Sequence, residues 1–314
     1  MAQIKMDANA VMAERAARTA RVAQMYQDSF KDCPDYHTCR EQGDCEGCRK
    51  APFPCLSIFE CDGIGDDCWM PSDCIADDGE EMPQGWIIEG LIGEKRKGVI
   101  FGKAKAKKSW LALQIAMAVA SGRDFLGMKV PRPRFVVYLN MEIPADDMRR
   151  RAAAMAKNFP LGGNDEELDI YNFRGQGEAV RKNWLPLLHD TCRADLVIID
   201  PRYKLLLPGE DENTAQGLRG FQAFVDRLAE FSTVMTVVHD GKGTVKGDRG
   251  AGSYTTIADY DFALAIDPAG KGEDENLKTL SFPPARSLPS IPPMEIRFDS
   301  SLFMFLPTAG TAGK

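Results

Sequence analysis

Residues 98–109 read Gly-Val-Ile-Phe-Gly-Lys-Ala-Lys-Ala-Lys-Lys-Ser, and the prediction of the fold begins with them. They nearly match the phosphate-binding loop (P-loop) pattern G-x-x-x-x-G-K-[ST], which follows a strand and opens a helix. Gly102, Lys108 and Ser109 fall in register, whereas Lys107 replaces the second glycine. Glycine normally gives the backbone room at that position. The segment therefore predicts nucleotide binding by a loop of altered geometry.

The flanks of this P-loop fit the same prediction. An apolar run, Val99 to Phe101, precedes the loop, and apolar residues at helical spacing follow from Trp110 to Val119. Backbone N–H groups at a helix N-terminus bind phosphate, the lysine adds a point charge, and the serine hydroxyl binds Mg²⁺. The residues expected to contact the nucleotide are Gly102, Lys103, Ala104, Lys105, Ala106, Lys107, Lys108, Ser109 and Trp110.

The length of 314 residues is enough for one large domain and a small module. We expect an N-terminal helix over 1–32, a cysteine-rich module over 33–80, an α/β domain over 81–308 and a flexible tail over 309–314. No apolar run reaches the roughly 18 residues that a membrane span needs. The N-terminus lacks the apolar segment of a signal peptide. We therefore expect a cytoplasmic protein with no membrane partner.

From Trp86 onward, apolar strands alternate with amphipathic helices, which indicates an α/β fold. The predicted strands are Val99–Phe101, Phe135–Asn140, Leu168–Phe173, Leu196–Asp200 and Thr233–His239, and the helices are Ser109–Ser121, Ala145–Lys157, Glu178–Thr191 and Thr214–Phe231. Continuous apolar strands are typical of a parallel sheet covered on both faces. Four further strands have no helices between them: Phe262–Ile266, Leu277–Phe282, Met294–Phe298 and Phe303–Leu306. We expect these to extend the sheet in antiparallel fashion.

Three polar residues lie at or just after the carboxyl ends of predicted strands. Open α/β sheets bind their ligands at these strand ends. Asp200 closes an apolar strand, as does the Walker B carboxylate that orders Mg²⁺; alone, it is equally an ordinary loop aspartate. Glu142 could polarise an attacking water, or be an acid favoured by a helix N-terminus. His239 could contact a γ-phosphate, or be a hydrogen-bonded histidine at a strand end.

Together these motifs resemble the RecA-like ATPases of the plasmid RepA replicative-helicase type, over about residues 86–306. The matching segments are Gly102…Lys108-Ser109, Tyr138-Leu139-Asn140-Met141-Glu142, Ile199-Asp200-Pro201, Asp211-Glu212-Asn213 and Val238-His239. The resemblance implies a RecA-like ATPase core that often forms a hexameric ring. It also implies ATP hydrolysis between subunits and movement on single-stranded DNA.

The resemblance also implies roles for individual residues. Lys108 and Ser109 would bind phosphate and Mg²⁺, Asp200 would be the Walker B acid, Glu142 the catalytic base and His239 the γ-phosphate sensor. Some positions depart from the family pattern. Asp240 stands where a second histidine is typical, and Pro284 stands where a lysine usually precedes the arginine that reaches a neighbour's site. Arg286 is the best match for that arginine finger; the other interpretation is a surface arginine.

The segment Asp240–Gly252 is rich in glycine and polar, which predicts a mobile loop. In a RecA-like ring such a loop faces the central channel. Lys242, Lys246 and Arg249 suit contacts to DNA phosphates, which position the strand without reading its sequence. The loop contains no aromatic residue to stack on bases. A flexible turn without a ligand is the alternative.

Eight of the nine cysteines lie in the cysteine-rich module: Cys33, Cys39, Cys45, Cys48, Cys55, Cys61, Cys68 and Cys74. Without a secretion signal, such a cluster indicates a metal site more than a disulfide framework. Eight thiolates fit two Cys₄ zinc sites. An iron–sulfur cluster also takes four thiolates, and disulfides or no ligand remain as alternatives. The module could bind DNA, a replication partner or a neighbouring subunit.

The sequence therefore predicts an ATPase that uses ATP, Mg²⁺ and a module holding Zn²⁺ or an iron–sulfur cluster. We expect a replicative helicase or helicase loader of a phage or mobile element, acting on single-stranded DNA as a homo-oligomer. One alternative is a nucleotide-gated DNA-binding protein with little turnover, because of Lys107. Another is a metal-dependent DNA-binding regulator whose core is only a scaffold.

Overall fold

A computed structural model describes residues 85–162, 167–182, 187, 191, 193–212, 214–238, 259–269, 274–283 and 291–308. Contacts along the chain separate it into two units, Met1–Met82 and Pro83–Lys314. All described residues belong to the second unit. The predicted N-terminal helix, the cysteine-rich module and the tail lie outside the described residues, and so do the proposed bounds of these segments.

The described chain forms eleven strands and four α-helices. The strands are β1 Trp86–Ile88, β2 Ile92–Gly93, β3 Lys97–Phe101, β4 Val136–Asn140, β5 Leu168–Asn172, β6 Leu196–Asp200, β7 Thr233–Val237, β8 Phe262–Pro268, β9 Leu277–Ser281, β10 Met294–Asp299 and β11 Met304–Pro307. The helices are α1 Lys108–Ser121, α2 Ala145–Met155, α3 Gly177–Lys182 and α4 Arg219–Ala229, with a 3₁₀ helix at Arg202–Leu205.

Nine of these strands form one sheet in the order β11-β10-β9-β8-β3-β7-β6-β4-β5. Strands β3 to β8 pair in parallel, and β9, β10 and β11 follow in antiparallel pairs. The α/β prediction of a mainly parallel sheet with an antiparallel extension is therefore confirmed. One detail was wrong, because β8 pairs in parallel with β3. The long connection 238–261 allows the crossover that a parallel pair requires.

A small hairpin of β1 and β2 was not predicted. Its strands pair antiparallel, and Gly90 occupies the turn at φ 74°. The side chains of Ile87, Ile88 and Ile92 are fully buried and join the main hydrophobic core. These strands are too short for the alternation of apolar and polar residues to be recognisable.

Helix α1 is enclosed by the rest of the domain, which explains its almost wholly apolar sequence. Residues 111–120 are all buried. Gln114 of this helix donates to the carbonyl oxygen of Phe305 in β11 (2.9 Å) and accepts from the Phe305 amide (2.7 Å). Strand β11 therefore packs on α1 although it forms the far edge of the sheet. A buried amide is tolerated here because the backbone of β11 satisfies it.

In the described part of the chain, no helix combines the length and apolar character needed to cross a membrane.

Candidate functional site

The P-loop connects β3 to α1 and begins at a position that only glycine can occupy. Gly102 has φ 152°, and a Cβ at this position would overlap the backbone carbonyl of Ile266 in the neighbouring strand β8. Both the backbone conformation and the lack of space require glycine. The first glycine of the motif is therefore required by the neighbouring strand β8 as well as by the conformation of the loop.

The P-loop lysine closes the loop on itself. Lys108 is 3% exposed, and its Nζ donates to the carbonyl oxygens of Gly102 (2.6 Å) and Lys103 (2.9 Å). These bonds hold a buried positive charge against the first residues of the loop. Ser109 follows on the first turn of α1 and is partly exposed. The arrangement brings a lysine, a hydroxyl and a helix N-terminus together, which suits an anionic ligand.

Lys107, which replaces the second glycine of the motif, adopts the backbone conformation that glycine favours. Its φ and ψ are 66° and 32°, in the left-handed region. The amides of Trp110 and Leu111 both donate to the Lys107 carbonyl oxygen (3.1 and 3.2 Å), so this residue starts the helix. Its Nζ lies 4.3 Å from the ring centroid of Phe298 in β10. The side chain thus makes a cation–π contact with the antiparallel strands.

Asp200 ends β6 and is 2% exposed. In the sheet register it lies opposite Asn140, the last residue of β4. The hydroxyl of Tyr138 donates to its Oδ2 at 2.5 Å. Burial and the nearby negative charge of Asp200 raise the pKa of Tyr138 well above its usual value, so the tyrosine remains a proton donor. The structure thus places a buried carboxylate, oriented by Tyr138, at the carboxyl end of β6.

Asn140 shapes the turn that carries Glu142. Its Nδ2 donates to the carbonyl oxygen of Ile143 (2.7 Å) and to Oδ1 of Asn172 in β5 (2.9 Å), and its Oδ1 accepts from the Ile143 amide (3.0 Å). Glu142 is exposed, and the Tyr203 hydroxyl donates to its Oε1 at 3.2 Å. The turn is therefore held by an internal side chain while its carboxylate faces outward.

Arg151 of α2 also belongs to this region, although it was not predicted. Its guanidinium lies 4.2 Å from the ring centroid of Trp110, the residue after Ser109. Burial lowers the pKa of Arg151, and electrostatic interactions with Tyr138, Asp147 and Asp200 oppose this effect. The helical pattern contains a signal for this residue, because Arg151 shares a face with buried Met148 and Met155.

Two residues of the 3₁₀ helix after Asp200 were also missed. Tyr203 contacts Glu142, as described. Arg202 is 1% exposed, donates to the Tyr260 hydroxyl at 3.4 Å and lies 3.9 Å from Oε2 of Glu212. No periodic pattern marks these contacts, because each joins residues that are ten or more positions apart in the chain.

The remaining predicted site residues lie outside the described residues: His239, Asp240, Lys242, Lys246, Arg249, Pro284, Arg286, Asn213, and Cys33, Cys39, Cys45, Cys48, Cys55, Cys61, Cys68 and Cys74. Their roles stay predictions. Within the described residues, no group of three or more histidine, cysteine, aspartate or glutamate side chains is arranged to hold a metal ion.

Comparisons with known proteins give a matching family and structurally similar proteins. A family described as AAA domain matches residues 69–245, more than half of the chain. No curated protein matches the sequence. Flagellar accessory protein FlaH from Methanocaldococcus jannaschii is similar in structure, with 11% identity, a TM-score of 0.50, and coverage of 68% of this chain and 89% of that one. A KaiC-like protein from Pyrococcus horikoshii OT3 has 13% identity and a TM-score of 0.47, over 70% of this chain and 93% of that one.

Proposed function

This chain belongs to the AAA domain family and has a RecA-like P-loop ATPase fold, and on that premise we propose that it hydrolyses ATP to act on DNA. One observation carries the proposal. The P-loop with its buried lysine, the buried Asp200 and the turn that carries Glu142 all lie at the carboxyl ends of parallel strands. Nucleotide-hydrolysing α/β proteins bind their ligands at these strand ends.

The residues present fit ATP and Mg²⁺. Gly102 leaves no side chain at the start of the loop, and Lys108 supplies a positive charge beside the first turn of α1. Ser109 and Asp200 supply the hydroxyl and carboxylate oxygens that Mg²⁺ prefers. When bound, Mg²⁺ neutralises charge on the phosphate oxygens. Backbone amides of the P-loop and of the first turn of α1 would contact the phosphates.

Glu142 would act as the general base. Its carboxylate accepts a proton from a water whose oxygen bonds to the γ-phosphorus, while the bond from that phosphorus to the β-phosphate oxygen breaks, which yields ADP and inorganic phosphate. Arg151, packed on Trp110 near Asp200, would stabilise charge on the transferred group. His239 would sense the γ-phosphate, and Arg286 would reach the site of a neighbouring subunit as an arginine finger.

The finer role we propose is that of a helicase or helicase loader for a phage or mobile element, working as a homo-oligomeric ring. Lys242, Lys246 and Arg249 of the glycine-rich loop would contact single-stranded DNA phosphates. The cysteine-rich module would bind Zn²⁺, or an iron–sulfur cluster, and recognise DNA or a replication partner. The resemblance to RepA-type helicases and the composition of these segments support this role.

A nucleotide-gated DNA-binding protein with little turnover is the second candidate, because Lys107 departs from the motif. However, Lys107 adopts the left-handed backbone conformation that glycine favours, and its side chain lies against Phe298. Both observations make this departure from the motif weaker evidence for low turnover. DNA-stimulated phosphate release distinguishes the two candidates.

The test is steady-state ATP hydrolysis by the full chain with and without single-stranded DNA. We expect hydrolysis that DNA stimulates and that Lys108→Ala and Glu142→Gln abolish. Lys182→Ala, at an exposed position of α3, is a control that should match wild type. ATP binding without DNA-stimulated hydrolysis would favour the nucleotide-gated candidate. Hydrolysis that persists in Lys108→Ala would contradict the assignment of the site.

A further inference from the structure

The 3₁₀ helix Arg202–Leu205 begins two residues after Asp200 and carries a tyrosine to the general base of the proposed reaction. The Tyr203 hydroxyl donates to Oε1 of Glu142 at 3.2 Å, across 61 residues of sequence. The two residues come from different strand ends, since Glu142 follows β4 and Tyr203 follows β6. The contact thus joins the loop that follows Asp200 to the turn that carries Glu142.

Both partners of this hydrogen bond are mounted on anchored backbone. Arg202 and Leu205, which flank the tyrosine, are 1% and 0% exposed, and Arg202 bonds to Tyr260. On the other side, the side-chain amide of Asn140 donates to the carbonyl oxygen of Ile143 and accepts from its backbone N–H, next to Glu142. The hydrogen bond between the two side chains therefore joins two anchored segments of backbone.

The tyrosine keeps its proton under physiological conditions. Burial, and the negative charge and hydrogen bond of Glu142, raise the pKa of Tyr203 to about 12. A neutral phenol donates to the carboxylate without neutralising it. This combination suits a group that orients a base and does not take part in the proton transfer itself.

We propose that Tyr203 is a positioning residue that holds the carboxylate of Glu142 in its water-activating orientation. This inference rests on the proposed ATPase function. A glutamate side chain has several rotamers, and ordering it for reaction costs conformational entropy. A fixed donor limits that freedom before ATP is hydrolysed. Misplacement of a reacting group by about 1 Å can cost a factor of about 100 in rate.

The experiment compares Tyr203→Phe with wild type in ATP hydrolysis and in equilibrium ATP binding. We expect kcat to fall about 10-fold to 100-fold, while KM and ATP affinity stay within about twofold because Tyr203 belongs to the 3₁₀ helix after β6 and not to the P-loop. Tyr171→Phe, which removes a hydroxyl from β5, is the matched control and should leave kcat unchanged. Thermal unfolding of each variant checks that the fold is intact.

A double-mutant cycle separates positioning from a general structural role. Tyr203→Phe is combined with Glu142→Gln, and single-turnover measurements with excess enzyme compare the residual rates that remain once steady-state hydrolysis is abolished. If the tyrosine acts through Glu142, it adds almost nothing once the base is removed. Equal reductions in both backgrounds, or an unchanged kcat in Tyr203→Phe, would overturn the inference while leaving the ATPase assignment intact. Absence of hydrolysis in wild type, or full activity in Glu142→Gln, would overturn both.

Discussion

Gly102 and Ile266 face each other so closely that a side chain on residue 102 would overlap the Ile266 carbonyl oxygen. The contact joins the start of the P-loop to β8, a strand that comes much later in the chain and lies in parallel beside β3. The position of β8 thus limits the residue at the head of the loop. Glycine is therefore required at residue 102 by a contact with a distant strand as well as by the local backbone conformation.

Gly102→Ala should therefore destabilise the domain and weaken ATP binding. The φ of 152° is a conformation that costs side-chain-bearing residues about 1–3 kcal/mol, and the overlap with Ile266 adds to that cost. Gly90→Ala is the control, because Gly90 also has a positive φ (74°) but nothing near its missing side chain. Urea unfolding should show a larger loss for Gly102→Ala, and equal losses would contradict the role of Ile266.

Lys107→Gly should leave stability and ATP binding nearly unchanged. Glycine relieves a left-handed backbone by about 1–2 kcal/mol, but it loses the Phe298 contact, worth about 0.5–1 kcal/mol, and adds freedom to the unfolded chain. Lys105→Gly is the matched variant, since Lys105 has nearly the same φ (65°) and is exposed. We expect Lys105→Gly to be the more stable of the two in denaturant unfolding. The reverse order would show that the Phe298 contact contributes nothing.

Arg151→Ala should lower kcat of ATP hydrolysis at least about tenfold, because an arginine that stabilises phosphoryl-transfer charge has large effects. Arg150→Ala is the control: Arg150 lies on the same helix but is exposed and pairs with Asp146 and Asp147. Steady-state kinetics at saturating ATP would measure both. Similar effects of the two substitutions would remove Arg151 from the site.

Arg202→Ala should destabilise the domain by about 3 kcal/mol, since removal of one member of a buried ion pair leaves the other uncompensated. Its partner Glu212 is only partly buried, so the loss is expected at the low end of the range. Arg219→Ala, at an exposed position, should change stability by less than about 0.5 kcal/mol. Chemical denaturation of both variants would decide, and a small loss for Arg202→Ala would show that the pair is dispensable.

Alkaline pH should weaken the contribution of Tyr203 to stability. The folded state raises the pKa of Tyr203 from 10.0 to about 12 and so binds this proton more tightly than the unfolded chain. The contribution is complete below pH 10 and is lost as pH rises toward 12. The difference in unfolding free energy between wild type and Tyr203→Phe should shrink across this interval. A constant difference would mean that Tyr203 titrates equally in both states.

Much of the architecture was accessible from the sequence because it depends on local patterns. The apolar runs of β4, β6 and β7 and the periodicity of α1 were placed within two residues of their bounds. Asp200 was accessible for the same reason, as a carboxylate that closes an apolar strand. By contrast, α4 begins at Arg219 and not at Thr214, because residues 214–218 form turns that helical periodicity does not distinguish.

Pairings between distant segments were not accessible. Arg202 with Tyr260, Tyr203 with Glu142, and Arg151 with Trp110 each depend on which strand ends and helices become neighbours. Strand β8 shows the same limit, since its apolar pattern is compatible with either pairing direction. The periodicity of a sequence indicates which residues are buried, but not which distant residues they contact.

Most of the elements, their order and the P-loop motif follow from the sequence alone, because short-range sterics, hydrophobic periodicity and motif spacing act within a few residues. The backbone of Lys107, the need for glycine at residue 102 and the residues around Glu142 follow from the assembled sheet. These depend on contacts between residues far apart in the chain, and the order of strands determines which of those residues meet.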